Sequence, residues 1–173
     1  IYPDHNVATI NELVMPVDTP VAFKLTSESM MNAFFVPQLG SMVYTMPAMQ
    51  TRLHLIGHTP GTYAGMSSAY SGSGFSDMKF PARVVTDADF KVWLEQARSS
   101  NDHLGAARLA ALEVPTHGAP LQRFSGVDTG LFDSIVARYH GTADDEICLP
   151  GEEPGAPPQT LSLAAPASRT AEN

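Results

Sequence analysis

The chain has 173 residues, with 18 acidic and 10 basic side chains and a net charge of −8. This acidic balance argues against a nucleic-acid partner, because affinity for nucleic acid comes from the neutralisation of phosphates. The single cysteine, Cys148, excludes an internal disulfide, a cysteine-rich zinc site and any copper site that needs two thiolates.

Residues 1–85 are predicted to form a β-domain. Apolar and polar side chains alternate over residues 21–26 and 51–55, which indicates strands with one face in a core and the other in water. Short strands separated by regular turn signals are typical of an antiparallel sandwich or barrel. Residues 78–84 alternate too, but Pro81 lacks a ladder donor, so we expect an edge strand or a bulge there.

Residues 86–140 are predicted to be helical. Thr86, with Asp89 three positions later, resembles a capping box at the start of the first helix. One apolar stripe at helical spacing follows, made of Phe90, Trp93, Leu94 and Ala97.

Two further helices are expected after the first. Asp102 can cap an alanine-rich helix that stops before Pro115, and Asp128 can cap a third. The apolar side of the third helix is formed by Leu131, Phe132, Ile135, Val136 and Tyr139. Strands first and helices second predict an α+β, mainly β fold class.

Residues 141–173 differ from the rest in composition. They contain six acidic residues, one basic residue and five prolines, with few large apolar side chains. Such a segment cannot bury enough surface to offset the entropy of ordering. We therefore predict a disordered, acidic, proline-rich tail.

The candidate sites of chemistry in the sequence are the methionines, the glycine- and serine-rich run and Cys148. Seven of the eight methionines lie between residues 30 and 78, and thioethers suit copper, but methionine more often fills gaps in a β-core. The glycine- and serine-rich run at 67–76 lacks the lysine and helix of a phosphate loop, and fits a special loop of a β-domain. No hydrolase motif is present, and the acidic neighbours of Cys148 disfavour a thiolate. The spacing of residues therefore predicts no catalytic, cofactor-binding or metal site.

Several segments resemble subunit II of the haem–copper oxidases, most closely that of the cytochrome bo-type ubiquinol oxidases. The matching stretches are residues 1–3, 31–40, 49–55, 61–63 and 70–80. The resemblance implies a cupredoxin-like antiparallel β-sandwich over residues 1–85, with its first strand missing, followed by a short helical, aromatic-rich arm over residues 86–140. The aromatic residues of this arm are Phe90, Trp93, Phe124, Phe132 and Tyr139.

The resemblance also indicates which branch of the family this is. Cytochrome c oxidases of the family hold a binuclear copper centre with two cysteines, two histidines, a methionine and a glutamate carbonyl. Read position by position, the corresponding residues here are Asn32, Tyr63, Gly65, Ser67, Phe75 and Met78, of which only Met78 keeps the ligand. Phenol and hydroxyl groups do not replace a bridging thiolate for copper. The resemblance therefore implies no copper centre in this chain.

The function implied is that of a quinol oxidase subunit. In this family, subunit I carries the haems, the copper and the quinol site, and the complex oxidises ubiquinol, reduces oxygen to water and pumps protons in the aerobic respiratory chain. The expected partners are subunits I, III and IV. Two N-terminal membrane helices, missing from this chain, would hold the domain on the periplasmic side of the bacterial inner membrane. We expect a structural role in assembly.

Three alternatives stay open at this point. The chain could be a cytochrome c oxidase subunit II with copper-mediated electron entry. It could also be a free-standing secreted β-sandwich that binds a ligand or protein. The third alternative is a small copper carrier that uses the methionines.

Overall fold

The computed structural model describes residues 1–114, 116 and 118–138. The predicted tail at 141–173, Tyr139 and Cys148 lie outside these residues. The strands are β1 Ala8–Ile10, β2 Leu13–Pro16, β3 Val21–Leu25, β4 Asn32–Phe35, β5 Val43–Thr45, β6 Thr51–Leu55, β7 Gly61–Ser67, β8 Lys79–Val85, β9 His103–Leu104, β10 Gln122–Phe124 and β11 Gly126–Val127. The helices are α1 Asp87–Arg98, α2 Ala106–Leu112 and α3 Leu131–Ala137, with 3₁₀ turns at Pro3–His5 and Phe75–Asp77.

A β-sandwich forms the first part of the chain. One sheet has five strands in the order β2-β8-β7-β4-β5, and the second pairs β3 with β6. Met15 and Val84 from the first sheet pack with Leu53 and Leu55 from the second, so the two sheets enclose one core. The pairing is not wholly antiparallel as predicted, because β2 runs parallel to β8.

The prediction that the strand containing Pro81 lies at an edge is wrong for β8 as a whole. This strand lies between β2 and β7 in the five-stranded sheet. Pro81 pairs with Ala64 of β7, whereas the pairing with β2 begins only at Ala82. At Pro81 the strand has a neighbour on one side only, and a residue without an N–H donor is tolerated there.

Helix α1 is the helix that the sequence predicted most closely. The Thr86 hydroxyl accepts a hydrogen bond from the Asp89 backbone N–H at 3.2 Å, which confirms the predicted cap. The predicted apolar stripe packs through Trp93 and Leu94 against Val14 of β2, on the side of the sheet opposite Met15. Strand β2 therefore separates the core under the helix from the core of the sandwich.

The predicted caps of the other two helices are wrong. Helix α2 begins after Gly105, and α3 begins after Gly130, whose φ of 75° is left-handed. Asp128 serves α2 instead, because its Oδ2 accepts from the backbone N–H of Ala106 at 3.2 Å. The hydrogen bond from His103, together with the one from Ala106, lowers the pKa of Asp128 below its usual value. The Asp128 carboxylate therefore binds the start of α2, which is distant in sequence, and not the start of α3, which follows it in the chain.

The arm has a core of its own. Phe124 of β10 is fully buried and packs with Ala8, Leu104 and Leu131. Ala8 lies on β1, which pairs antiparallel with β10. Residues 8–10, which we predicted as part of the β-domain, therefore pair with a strand of the arm. Across the described part of the chain, no helix has the length and apolar character of a membrane span.

Candidate functional site

Three of the six predicted positions meet at one end of the sandwich. Asn32 begins β4, Ser67 ends the neighbouring β7, and Met78 directly precedes β8. The Ser67 hydroxyl donates to Oδ1 of Asn32, and the Ser67 backbone N–H donates to the Met78 carbonyl at 2.9 Å. All three residues line a cleft of about 290 Å³. The fold therefore brings Asn32, Ser67 and Met78 into one site.

The donor atoms of this site do not fit the binuclear copper centre of the cytochrome c oxidases in the family. The side chains offer one amide oxygen, one hydroxyl and one thioether, and the amide oxygen also accepts from the Ala33 backbone N–H at 3.0 Å. A binuclear copper site needs bridging thiolates, which none of these groups supplies. Within residues 1–114, 116 and 118–138, no group of three or more His, Cys, Asp or Glu side chains could hold a metal ion.

Tyr63 and Gly65 lie further along β7, outside the residues that line the cleft. The Tyr63 hydroxyl donates to the Thr59 carbonyl at 2.6 Å. Gly65 lies under the ring of Phe80, since a Cβ built at Gly65 would be 2.3 Å from Phe80 Cε2. Both positions thus belong to the packing of the sandwich.

Phe75, the last of the six predicted positions, lies in the loop between β7 and β8, next to the cleft residue Met78 in the chain. The Phe75 ring lies edge-on to Tyr70, with centroids 5.6 Å apart. In the same loop, the Ser71 hydroxyl donates to the Met78 sulfur at 3.3 Å, and the Ser68 hydroxyl donates to the Met42 sulfur at 2.7 Å. Sequence reasoning missed these serines, although the glycine- and serine-rich run at 67–76 marked the loop as unusual.

We expect Gly65→Ala to lower the free energy of unfolding by about 1–2 kcal/mol, because the new Cβ overlaps the Phe80 ring. That ring is stacked on Phe34 with centroids 5.5 Å apart, so it cannot turn away without disturbing the core. Urea denaturation followed by the fluorescence of Trp93 measures the change.

Gly61→Ala is the matched control, because it lies on the same strand and its Cβ would be no closer than 3.9 Å to another side chain. We expect a change below about 0.5 kcal/mol there. Adding Phe80→Leu to Gly65→Ala should restore part of the lost stability. Equal stability of the two alanine variants would show that the ring does not restrict position 65.

A buried carboxylate that the sequence did not reveal connects the arm to the sandwich. The Glu12 side chain is 2% exposed and lies between β1 and β2. Its Oε2 accepts from Arg123 Nε at 3.0 Å and Trp93 Nε1 at 3.2 Å, and its Oε1 accepts from Arg123 Nη2 at 3.1 Å and Arg83 Nη1 at 3.3 Å. Burial raises the pKa of Glu12, but the hydrogen bonds from Arg123, Trp93 and Arg83 outweigh burial and hold it below its usual value.

Comparison with known proteins identifies the family. The model of the "Cytochrome C oxidase subunit II, periplasmic domain" matches residues 4–86, and that of the "COX Aromatic Rich Motif" matches residues 98–142. The chain is 46% identical over 140 residues to ubiquinol oxidase subunit 2 of Acetobacter aceti, an alignment that covers 81% of this chain and 45% of the relative. The chain belongs to the oxidase subunit II family. This confirms the resemblance seen in the sequence motifs.

A second curated relative of the oxidase subunit II family agrees. Cytochrome bo(3) ubiquinol oxidase subunit 2 of Pseudomonas aeruginosa is 40% identical over 156 residues, which cover 90% of this chain and 47% of that protein. The chain thus spans just under half the length of these curated relatives. A solved structure, the periplasmic domain of subunit II of cytochrome oxidase of Bradyrhizobium japonicum, is 26% identical, with a TM-score of 0.48 over 50% of this chain and 63% of that one.

The expected order of a mainly β, cupredoxin-like domain followed by an arm with short helices is confirmed, because strands β1–β8 precede α1 and the two family models match in the same order. The prediction that residues 86–140 are helical throughout is wrong, because this segment also contains β9, β10 and β11. The matched domain is periplasmic in this family of haem–copper oxidase subunits. The assignment of Asn32, Tyr63, Gly65, Ser67, Phe75 and Met78 to a lost copper site stays a prediction.

Proposed function

We propose that this chain is the periplasmic domain of subunit II of a proton-pumping ubiquinol oxidase, and that it has a structural role in assembly without carrying electrons. The observation that carries the proposal is the likeness to ubiquinol oxidase subunits, at 46% and 40% identity. The donor set of the cleft at Asn32, Ser67 and Met78 supports the absence of electron transfer, because it lacks thiolates.

In this proposal the chemistry lies in other subunits. Subunit I holds the haems, the copper and the ubiquinol site, and it reduces oxygen to water. Subunits I, III and IV are the partners, and the part of subunit II outside this chain attaches it to the inner membrane. The proposed division of the chain keeps residues 1–85 as the β-domain, 86–140 as the arm and 141–173 as the acidic tail.

The structural contribution proposed for this domain rests on the connection between its two parts. The Glu12 carboxylate accepts hydrogen bonds from side chains of β8, α1 and β10, and so links the arm to the sandwich. Removal of this domain from the full-length subunit should therefore reduce the amount of assembled oxidase in membranes. Wild-type amounts of assembled, active oxidase would contradict the structural role.

Electron transfer is tested at the cleft. The triple variant Asn32→Ala, Ser67→Ala, Met78→Leu in the full-length subunit should leave ubiquinol-dependent oxygen uptake within about twofold of wild type, because no electron passes these side chains in the proposal. A loss of about tenfold or more at unchanged oxidase content would contradict it.

Copper content separates the alternatives. After incubation with copper and removal of the excess, the purified chain should hold well below about one equivalent. About two equivalents with a purple absorption would favour a cytochrome c oxidase subunit, and tight binding of a single Cu(I) ion would favour a copper carrier. A free-standing secreted module would instead leave oxidase assembly unaffected when the domain is removed.

A further inference from the structure

Five methionine side chains are exposed, which is unusual for so apolar a residue. Their exposed fractions run from 38% at Met42 to 50% at Met31, whereas Met15 in the sandwich core is 1% exposed. We call the five the methionine-rich end; its members are Met30, Met31, Met42, Met49 and Met78.

Met30, Met31, Met49 and Met78 lie on loops at one end of the sandwich, whereas Met42 precedes β5 at the other end of the β4–β5 pair and comes near this end through the contact of its side chain with Ser68. Asn32 at the start of β4 pairs with Thr45 at the end of β5, so the loops before β4 and after β5 are neighbours. The Ser68 backbone N–H donates to the Ala33 carbonyl at 3.1 Å, which brings the loop after β7 to the same place. The Ser68 hydroxyl then reaches the Met42 sulfur.

We infer that the methionine-rich end is a site of reversible oxidation by hydroperoxides. The thioether sulfur attacks the terminal peroxide oxygen, the O–O bond breaks, and an S=O bond forms. With hydrogen peroxide the products are methionine sulfoxide and water, so sulfur loses two electrons and the peroxide gains them. A thiol-dependent sulfoxide reductase reverses the change. This inference does not depend on the proposed oxidase role.

Two serines make the oxidised form compatible with the fold. Ser68 and Ser71 already donate hydrogen bonds to the sulfurs of Met42 and Met78. A sulfoxide oxygen is a stronger acceptor than a thioether sulfur, so the same hydroxyls can bind it. Oxidation at these two residues therefore adds a polar group beside a donor that is already in place.

The same hydrogen bonds set the order of reaction. A donated hydrogen bond engages a sulfur lone pair and lowers its nucleophilicity. Across residues 1–114, 116 and 118–138, no hydroxyl donates to the sulfurs of Met30, Met31 or Met49. These three should react first, about two- to fivefold faster than Met42 and Met78.

The test uses the full chain treated with hydrogen peroxide, with oxygen addition at each methionine followed by peptide mass spectrometry. We expect the five sulfurs to react at least about tenfold faster than Met15, which is the internal control for exposure. Ser71→Ala should speed oxidation of Met78 and leave Met49 unchanged. Oxidation of Met15 at the same rate, or no effect of Ser71→Ala, would overturn the inference.

Two further experiments test whether the oxidation can be reversed and whether it also occurs in the assembled protein. Sulfoxide reductase with a thiol reductant should restore the unmodified mass in the folded chain, and failure to do so would overturn a reversible site. The peroxide treatment is then repeated on membranes that contain the full-length subunit. The same five methionines should react; protection in membranes alone would show that a partner covers this end, and would overturn the inference for the assembled protein.

Discussion

Glu12→Gln is expected to lower the free energy of unfolding by about 2–3 kcal/mol. The substitution keeps the shape of the side chain but removes the negative charge that Arg123 and Arg83 share, and it places an amide where Trp93 donates. The expected loss of stability is smaller than for breaking a fully buried ion pair, because Arg83 and Arg123 are both partly exposed. Urea denaturation monitored by the fluorescence of Trp93, the single tryptophan, measures it.

Asp18→Asn is the control for Glu12→Gln, since it also removes one negative charge from a hydrogen-bonded carboxylate, but at a largely exposed position beside His58. A change below about 0.5 kcal/mol is expected for it. If Glu12→Gln proved no more destabilising than Asp18→Asn, Glu12 would not hold the arm on the sandwich.

The pH dependence of stability gives a second check on Glu12. Because folding lowers the pKa of Glu12 from its ordinary 4.5, its contribution is complete above that pH and is lost as pH falls through the lower folded value. The difference between wild type and Glu12→Gln should therefore be constant above about pH 5 and shrink in more acidic solution. A difference that does not shrink on acidification would mean that the charge is not responsible.

Phe124→Ala is expected to destabilise the chain by about 3–4 kcal/mol, the largest effect among the substitutions considered. The ring is fully buried in a cluster with Ala8, Leu104 and Leu131, so its removal leaves a cavity. The measurement is again urea denaturation. Trp93 belongs to a different cluster from Phe124, so a matching shift of its fluorescence transition would show that the loss at Phe124 also destabilises the packing of α1 on β2.

Leu121→Ala serves as the matched variant for Phe124→Ala. Leu121 lies just before β10 and is exposed, so little stability should be lost. A loss of only about 1 kcal/mol for Phe124→Ala would mean that the arm can collapse around the missing ring, and that its core is less tightly packed than these contacts indicate.

The failures of sequence reasoning share one cause. Asp128 has the position of a cap for α3, yet its carboxylate binds His103 and the start of α2. Pro81 signals an edge, yet its strand is central because β2 joins it one residue later. In both cases the residue has the local property that the sequence indicated, but its bonding or pairing partner comes from a distant segment of the chain. Tyr63, Gly65 and Ser67 lie on the same face of β7, and of these three only Ser67 lines the cleft, while their assignment to a lost copper site stays a prediction.

What the sequence by itself determined is local and periodic. The alternation at 21–25 and 51–55 and the stripe and cap of α1 follow from side chains a few residues apart, and the motifs at 31–40 and 70–80 identified the family. Only the tertiary structure decided the bonds of Glu12, whose partners Arg83, Trp93 and Arg123 are 71, 81 and 111 residues away. It also decided the convergence of the loops around Met42 and Met78. Contacts across such separations depend on how the sheets pack, and they leave no periodic pattern in the chain.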